Sequence, residues 1–187
     1  MTAIKDDSLR KMIIALLAFG VLAIFLTAFI NGAGAPPAKE RGAAARQDAE
    51  MSDAVAPLMA RLQDDPNDKE AVSGLAHIFT KSENWEKAAP FWSKLVAAEP
   101  ENIGSRYHYG FALSQLNRFP EAVEQYEAIL KADPKDSAAH YYLGMINKYG
   151  LKKQDVAKKH FQQALGGNPD DRELAAEIKK ELASMKQ

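Results

Sequence analysis

Histidine is the side chain best suited to acid–base or metal chemistry at neutral pH, and this 187-residue chain has four: His77, His108, His140 and His160. They form no His-x-x-x-His pair on one helical face, and no cysteine stands beside them to complete a ligand set. A metal site would have to be built across separate units of the chain, so the histidines read as polar groups lining or flanking a groove. The acidic pairs Asp64-Asp65 and Asp170-Asp171 adjoin prolines. There an aspartate caps a helix and suits its positive end, which is turn chemistry rather than a catalytic dyad.

The absence of cysteine excludes disulfides, zinc–thiolate centres, iron–sulfur clusters, a thiol nucleophile and covalent haem attachment. No glycine-rich phosphate loop and no serine elbow is present. The expectation is a protein that is not an enzyme and carries no cofactor and no metal. Lys plus Arg number 24 against 25 Asp plus Glu, so the strongly basic face of a nucleic-acid binder is missing as well.

What remains is a chain organised to present surfaces. Residues 12–30, MIIALLAFGVLAIFLTAFI, run for 19 positions without a charge. At about 1.5 Å per residue that just crosses a hydrocarbon core of about 30 Å, which predicts a transmembrane helix. Arg10 and Lys11 precede it directly and the next cation is Lys39, so residues 1–11 are expected in the cytoplasm. In a bacterium the remainder of this single-pass inner-membrane protein then lies in the periplasm. A cleaved signal peptide is the alternative, with Ala33-Gly34-Ala35 as its small-x-small site; the length of the apolar run and Pro36 just after that site oppose it. Residues 31–50 mix small, proline and charged residues and read as a tether, flexible or transiently helical, carrying a domain over residues 51–187.

Within that domain Pro66, Pro100, Pro134 and Pro169 are 34, 34 and 35 residues apart. So regular a period marks a repeat architecture. Between successive prolines lie two helical patterns split by a polar turn, KSEN, LNR and the longer KYGLKKQ, which holds the extra residue. Large-small pairs recur in the first helices as Leu75-Ala76, Tyr109-Gly110 and Leu143-Gly144. Small-large pairs recur in the second helices as Ala88 with Trp92, Ala122 with Tyr126 and Ala157 with Phe161. On these positions the chain resembles the tetratricopeptide repeat (TPR) family over about Lys69 to Pro169. The fold so implied is all-α, a right-handed solenoid of three helix-turn-helix units at about 69–102, 103–136 and 137–171. A leading helix over 51–63, with Val55, Leu58, Met59 and Leu62 inward, and a final helix over 172–186, with Leu174, Ile178 and Leu182, would cap the stack. Pro90 predicts a kink or late start in its helix, whereas Pro120 suits a helix start.

In this family the first helices line the concave surface, so the resemblance implies a protein or peptide ligand there. The outward positions are Ser73, His77, Thr80 and Lys81, then Tyr107, Phe111, Ser114 and Gln115, then Tyr141, Met145, Lys148 and Tyr149. Tyr107, Phe111, Tyr141 and Met145 would form an apolar floor for an amphipathic helix or an extended peptide. Chaperone-binding members grip a C-terminal carboxylate with lysine, asparagine and arginine; the matching places here hold Ser73, His77, His108, Ala138 and Tyr142, which argues against that role.

Anchor, tether and repeats in this order, with VAPLMARLQDDPNDKEAVSGLA at residues 55–76, are similar to the tetratricopeptide subunit of bacterial cytochrome c haem lyase, the NrfG or CcmI kind. That resemblance implies presentation of unfolded apocytochrome c for haem attachment. The chain departs from CcmI in having no second membrane helix and no cytoplasmic loop. The alternative expectation is a structural accessory subunit that organises other subunits of a translocon, secretion or respiratory complex.

Overall fold

The computed structural model describes residues 38–167 and 171–185. The expected membrane span over 12–30 lies outside them, and among the described residues no helix is long and apolar enough to cross a membrane. Those residues are helical throughout: α1 (Ala38–Asp64), α2 (Lys69–Lys81), α3 (Trp85–Ala98), α4 (Ile103–Gln115), α5 (Phe119–Ala132), α6 (Ser137–Met145) continued by a π-helical turn (Ile146–Gly150), α7 (Gln154–Gly166) and α8 (Arg172–Ser184). Residues 38–50, expected to belong to a tether, are thus helical, and the leading helix begins at Ala38.

The proline period is a capping period. Asp68, Asn102, Asp136 and Asp171 each stand two residues after a repeat proline, and each accepts a backbone hydrogen bond with its side chain at the start of α2, α4, α6 and α8. Such a cap satisfies one of the amides that a helix start leaves without a partner, at roughly 1 kcal/mol apiece. The turns inside the units recur as faithfully. Glu83, Asn117 and Lys152 all adopt positive φ, at 54°, 58° and 58°. In the first two turns the next amide reaches back to close the helix end, Asn84 N–H to the Phe79 carbonyl and Arg118 N–H to that of Leu113.

The extra residue of the third unit is not in a longer turn, as its sequence suggested. It is taken up inside the helix by the π-turn, where Leu151 N–H bonds the Ile146 carbonyl five residues back. Buried Asn147 helps hold this turn by donating from Nδ2 to the Leu143 carbonyl at 2.8 Å. Pro90 lies inside α3, which starts at Trp85, so the late start is not found. Pro120 occupies the first turn of α5 as expected.

The densest packing among the described residues is between helices adjacent in the chain, from α2 on α3 through to α7 on α8. Three core clusters follow one another. Val72, Leu75, Ala76, Ala88, Trp92 and Leu95 form the first, and Val55, Leu58 and Leu62 of α1 pack against it. Met59, expected with them, is exposed instead. Leu113, Ala122, Tyr126, Ile129, Ala139 and Leu143 form the second. Ala157, Phe161, Ala164 and Ile178 form the third, closed by Leu174 and Leu182 of α8. Each helical hairpin buries one face within itself and the other against the next, so stacking completes a core that no single unit could build.

Candidate functional site

The first helices of the units, α2, α4 and α6, line a trough with two connected halves. One half, about 540 Å³, is bounded by Lys69, Glu70, Ser73 and His77 from α2, Trp92, Leu95 and Glu99 from the α3 end, and Ser105 and His108 from α4. The other, about 460 Å³, is bounded by Thr80, Tyr107, His108, Phe111, Ala138 and Tyr142. His108 belongs to both. The first half is edged by charge, with Lys69 Nζ 2.6 Å from Glu99 Oε1 across the mouth. The second is mainly aromatic.

Buried Trp92 sets the floor of the first half. Its indole N–H donates to Thr80 Oγ1 at 2.8 Å, and Thr80 Oγ1 donates in turn to the Ala76 carbonyl at 2.8 Å. The tryptophan thereby satisfies its one polar atom inside the protein and leaves its ring face to the neighbouring histidines. His108 stacks on that face, with centroids 4.4 Å apart and planes 15° from parallel, and His77 meets the same ring edge-on at 4.8 Å. Burial, assisted by nearby His77, holds His108 below the usual histidine range, so it is neutral and acts as a flat aromatic donor-acceptor at pH 7.

The aromatic half rests on a further stack. Tyr142 lies parallel to Tyr126 with centroids 5.1 Å apart, and Phe111 packs edge-on to Trp85 at 5.4 Å. Tyr107 donates its hydroxyl to Asp136, the cap of α6, and so ties the second unit to the third while presenting its ring to the trough. Burial and that carboxylate push the Tyr107 phenol up, so it stays a donor.

Of the sequence-predicted positions, Ser73, His77, Thr80, Tyr107 and Phe111 line the trough. Lys81 and Gln115 are exposed and Ser114 is half-buried, its Oγ donating to the Gly110 carbonyl; none of the three lines either half. Tyr141 and Met145 do not join the floor: they pack on the third core cluster together with side chains of α8. Lys148 and Tyr149 are drawn to the same helix, with Lys148 Nζ 2.6 Å from Glu181 Oε2 and the Tyr149 hydroxyl 2.8 Å from the same oxygen. The reason is the π-turn. One inserted residue rotates the remainder of the helix by about 100° relative to a regular one, which re-aims Lys148 and Tyr149, whereas Tyr141 and Met145 precede the turn and are covered by α8. Burial alone would lower the Lys148 pKa, but Glu181 and Tyr149 together outweigh it and the net shift is upward.

Sequence reasoning missed His108, Ala138 and Tyr142 as lining residues. The signal is present in the sequence, since the resemblance to chaperone-binding repeat proteins already singles these positions out; it is masked because their side chains cannot grip a carboxylate.

A family model described as "Tetratricopeptide repeat" matches residues 79–146. No curated protein matches the chain. Among solved structures the chain is similar to MamA of strain MSR-1, at 22% identity and TM-score 0.58, covering 64% of this chain and 68% of that one. It is also similar to MamA from Desulfovibrio magneticus RS-1, at 18% identity and TM-score 0.59, covering 78% and 86%. A third likeness is to PcrH in complex with the chaperone binding region of PopD, at 17% identity and TM-score 0.58, covering 63% and 90%. Residues 79–146 thus match the tetratricopeptide repeat, and the capped helical hairpins share the fold of these solved structures.

Proposed function

We propose that the domain is a protein–protein interaction module that seats a polypeptide segment along the trough. The observation that carries this is the trough's two-part lining, aromatic around Tyr107, Phe111 and Tyr142 and polar around Ser73, His77 and Glu99, joined at His108. An apolar floor with polar groups at one end suits a segment that has apolar anchors and a free backbone to satisfy. PcrH, of like fold, is seen with a binding region of PopD, which supports a polypeptide as the class of ligand. Substituting Phe111→Glu should abolish binding of such a segment while leaving the helical circular-dichroism spectrum unchanged; retained binding would refute the assignment.

The order of anchor, tether and repeats, and the likeness of residues 55–76 to the haem lyase subunit, support a finer reading. Residues 12–30 hold the protein in the bacterial inner membrane, the repeats face the periplasm, and the segment is the C-terminal part of an apocytochrome c. A synthetic apocytochrome C-terminal peptide should then bind the full chain with micromolar affinity and fail to bind the Phe111→Glu variant. Absence of binding to the unaltered chain would remove this partner while leaving the trough itself in place.

A further inference from the structure

Two histidines that the sequence separates by 20 positions meet inside the third unit. His140 on α6 is 5% exposed, His160 on α7 is half-buried, and their Nδ1 atoms are 3.2 Å apart. The other nitrogen of His140, Nε2, lies 3.2 Å from the Pro134 carbonyl oxygen. A carbonyl can only accept, so Nε2 carries the hydrogen and Nδ1 turns a lone pair toward His160. Orientation of one ring nitrogen by a backbone carbonyl, with the other left to coordinate, is how metal-binding histidines are held. Two nitrogens 3.2 Å apart subtend about 100° at an ion about 2.0–2.1 Å from each, an ordinary angle between neighbouring ligands. The pair His77 and His108 offers no such convergence: His77 Nδ1 is bonded to the Ser73 carbonyl at 2.8 Å, and His108 is stacked on Trp92.

We propose that His140 and His160 form a two-imidazole site for a divalent transition metal, Cu²⁺ foremost, that clips α6 to α7. Imidazole selects copper, nickel and zinc over the oxygen-seeking cations, and among these copper binds most tightly. No set of three or more candidate ligands exists among the described residues, so water completes the coordination. The site is separate from the trough and does not depend on what the trough binds.

The test is a calorimetric titration of the untagged full chain in detergent, freed of metal by chelator, with Cu²⁺ alone. The expected result is one ion per chain, a raised Tm, and nitrogen hyperfine splitting in the copper electron-paramagnetic-resonance spectrum. Loss of a mere supporting contact costs metal sites about 10–100-fold in affinity, so His160→Gln, which removes a ligand, should weaken binding by at least about tenfold. His77→Gln should leave it unchanged. His160 is half-buried and its variant should keep the helical spectrum; if it does not, the nitrogen splitting of the unaltered chain decides alone. No stoichiometric binding, undiminished binding in a folded His160→Gln, or a spectrum without nitrogen coupling would overturn the proposal.

Discussion

Phe161 lies so close over Gly144 that a Cβ built on the glycine would stand 2.6 Å from the ring. Gly110 meets Tyr126 in the same way, at 2.9 Å. These contacts are what the recurring small residue is for: helix backbones approach until the aromatic of the second helix covers the first. Gly144→Ala should therefore destabilise the domain by about 1–3 kcal/mol through overpacking, despite alanine's better helix propensity. Gly166→Ala meets nothing within 4 Å among the described residues and should be neutral or stabilising. Chemical denaturation of both variants checks the contrast.

Trp92 and Tyr126 occupy equivalent places, yet only one has its polar atom satisfied. The Trp92 indole finds Thr80, whereas the buried Tyr126 hydroxyl has no hydrogen-bond partner among the described residues. Removing an orphaned hydroxyl costs little and can help, so Tyr126→Phe should be neutral or slightly stabilising. Thr80→Val, which orphans the indole N–H, should cost about 1–3 kcal/mol. Equal losses in the two variants would contradict the assigned hydrogen bonding.

Lys148 and Glu181 hold the cap helix to the π-turn as a pair only 11% and 8% exposed. Breaking one partner of a buried pair leaves the other uncompensated, so Glu181→Leu should cost about 3 kcal/mol. Replacing both, with Lys148→Met added, should recover most of that loss. A double-mutant cycle showing no coupling would contradict the contact.

Burial and His77 depress the His108 pKa relative to the unfolded chain, where histidine titrates near 6.5. The unfolded state then takes up more protons as pH falls, and the stabilisation, complete above that value, is lost as pH drops through the lower folded-state pKa. Thermal unfolding from pH 7.5 to 5 should show a falling Tm, with a shallower fall in His108→Gln. His160, likewise depressed by burial and by His140, leaves part of the acid sensitivity in place.

The repeat and its packing were legible because the same residue types recur at one spacing. Pro66, Asp68, Ala76 and Trp92 each have counterparts about one period on, and three copies of a pattern average out local ambiguity. The trough was legible on α2 and α4, where Ser73, His77, Thr80, Tyr107 and Phe111 line it. At Ile146–Gly150 the backbone widens by one residue, a feature with no residue signature beyond a 35-residue count, and Lys148 and Tyr149 within it turn toward α8, which also covers Tyr141 and Met145 just before it. The His140–His160 meeting was likewise hidden, since 20 residues of separation means nothing until α6 and α7 are paired.

The most direct measurement of whether the trough is a docking surface is backbone amide chemical-shift mapping with peptides selected against the full chain from an unbiased library. The expected perturbations cluster at Thr80, Tyr107, His108, Phe111 and Tyr142. Perturbations confined to the opposite helices, around Ala128 and Lys131 of α5, with none at His108 or Phe111, would contradict it.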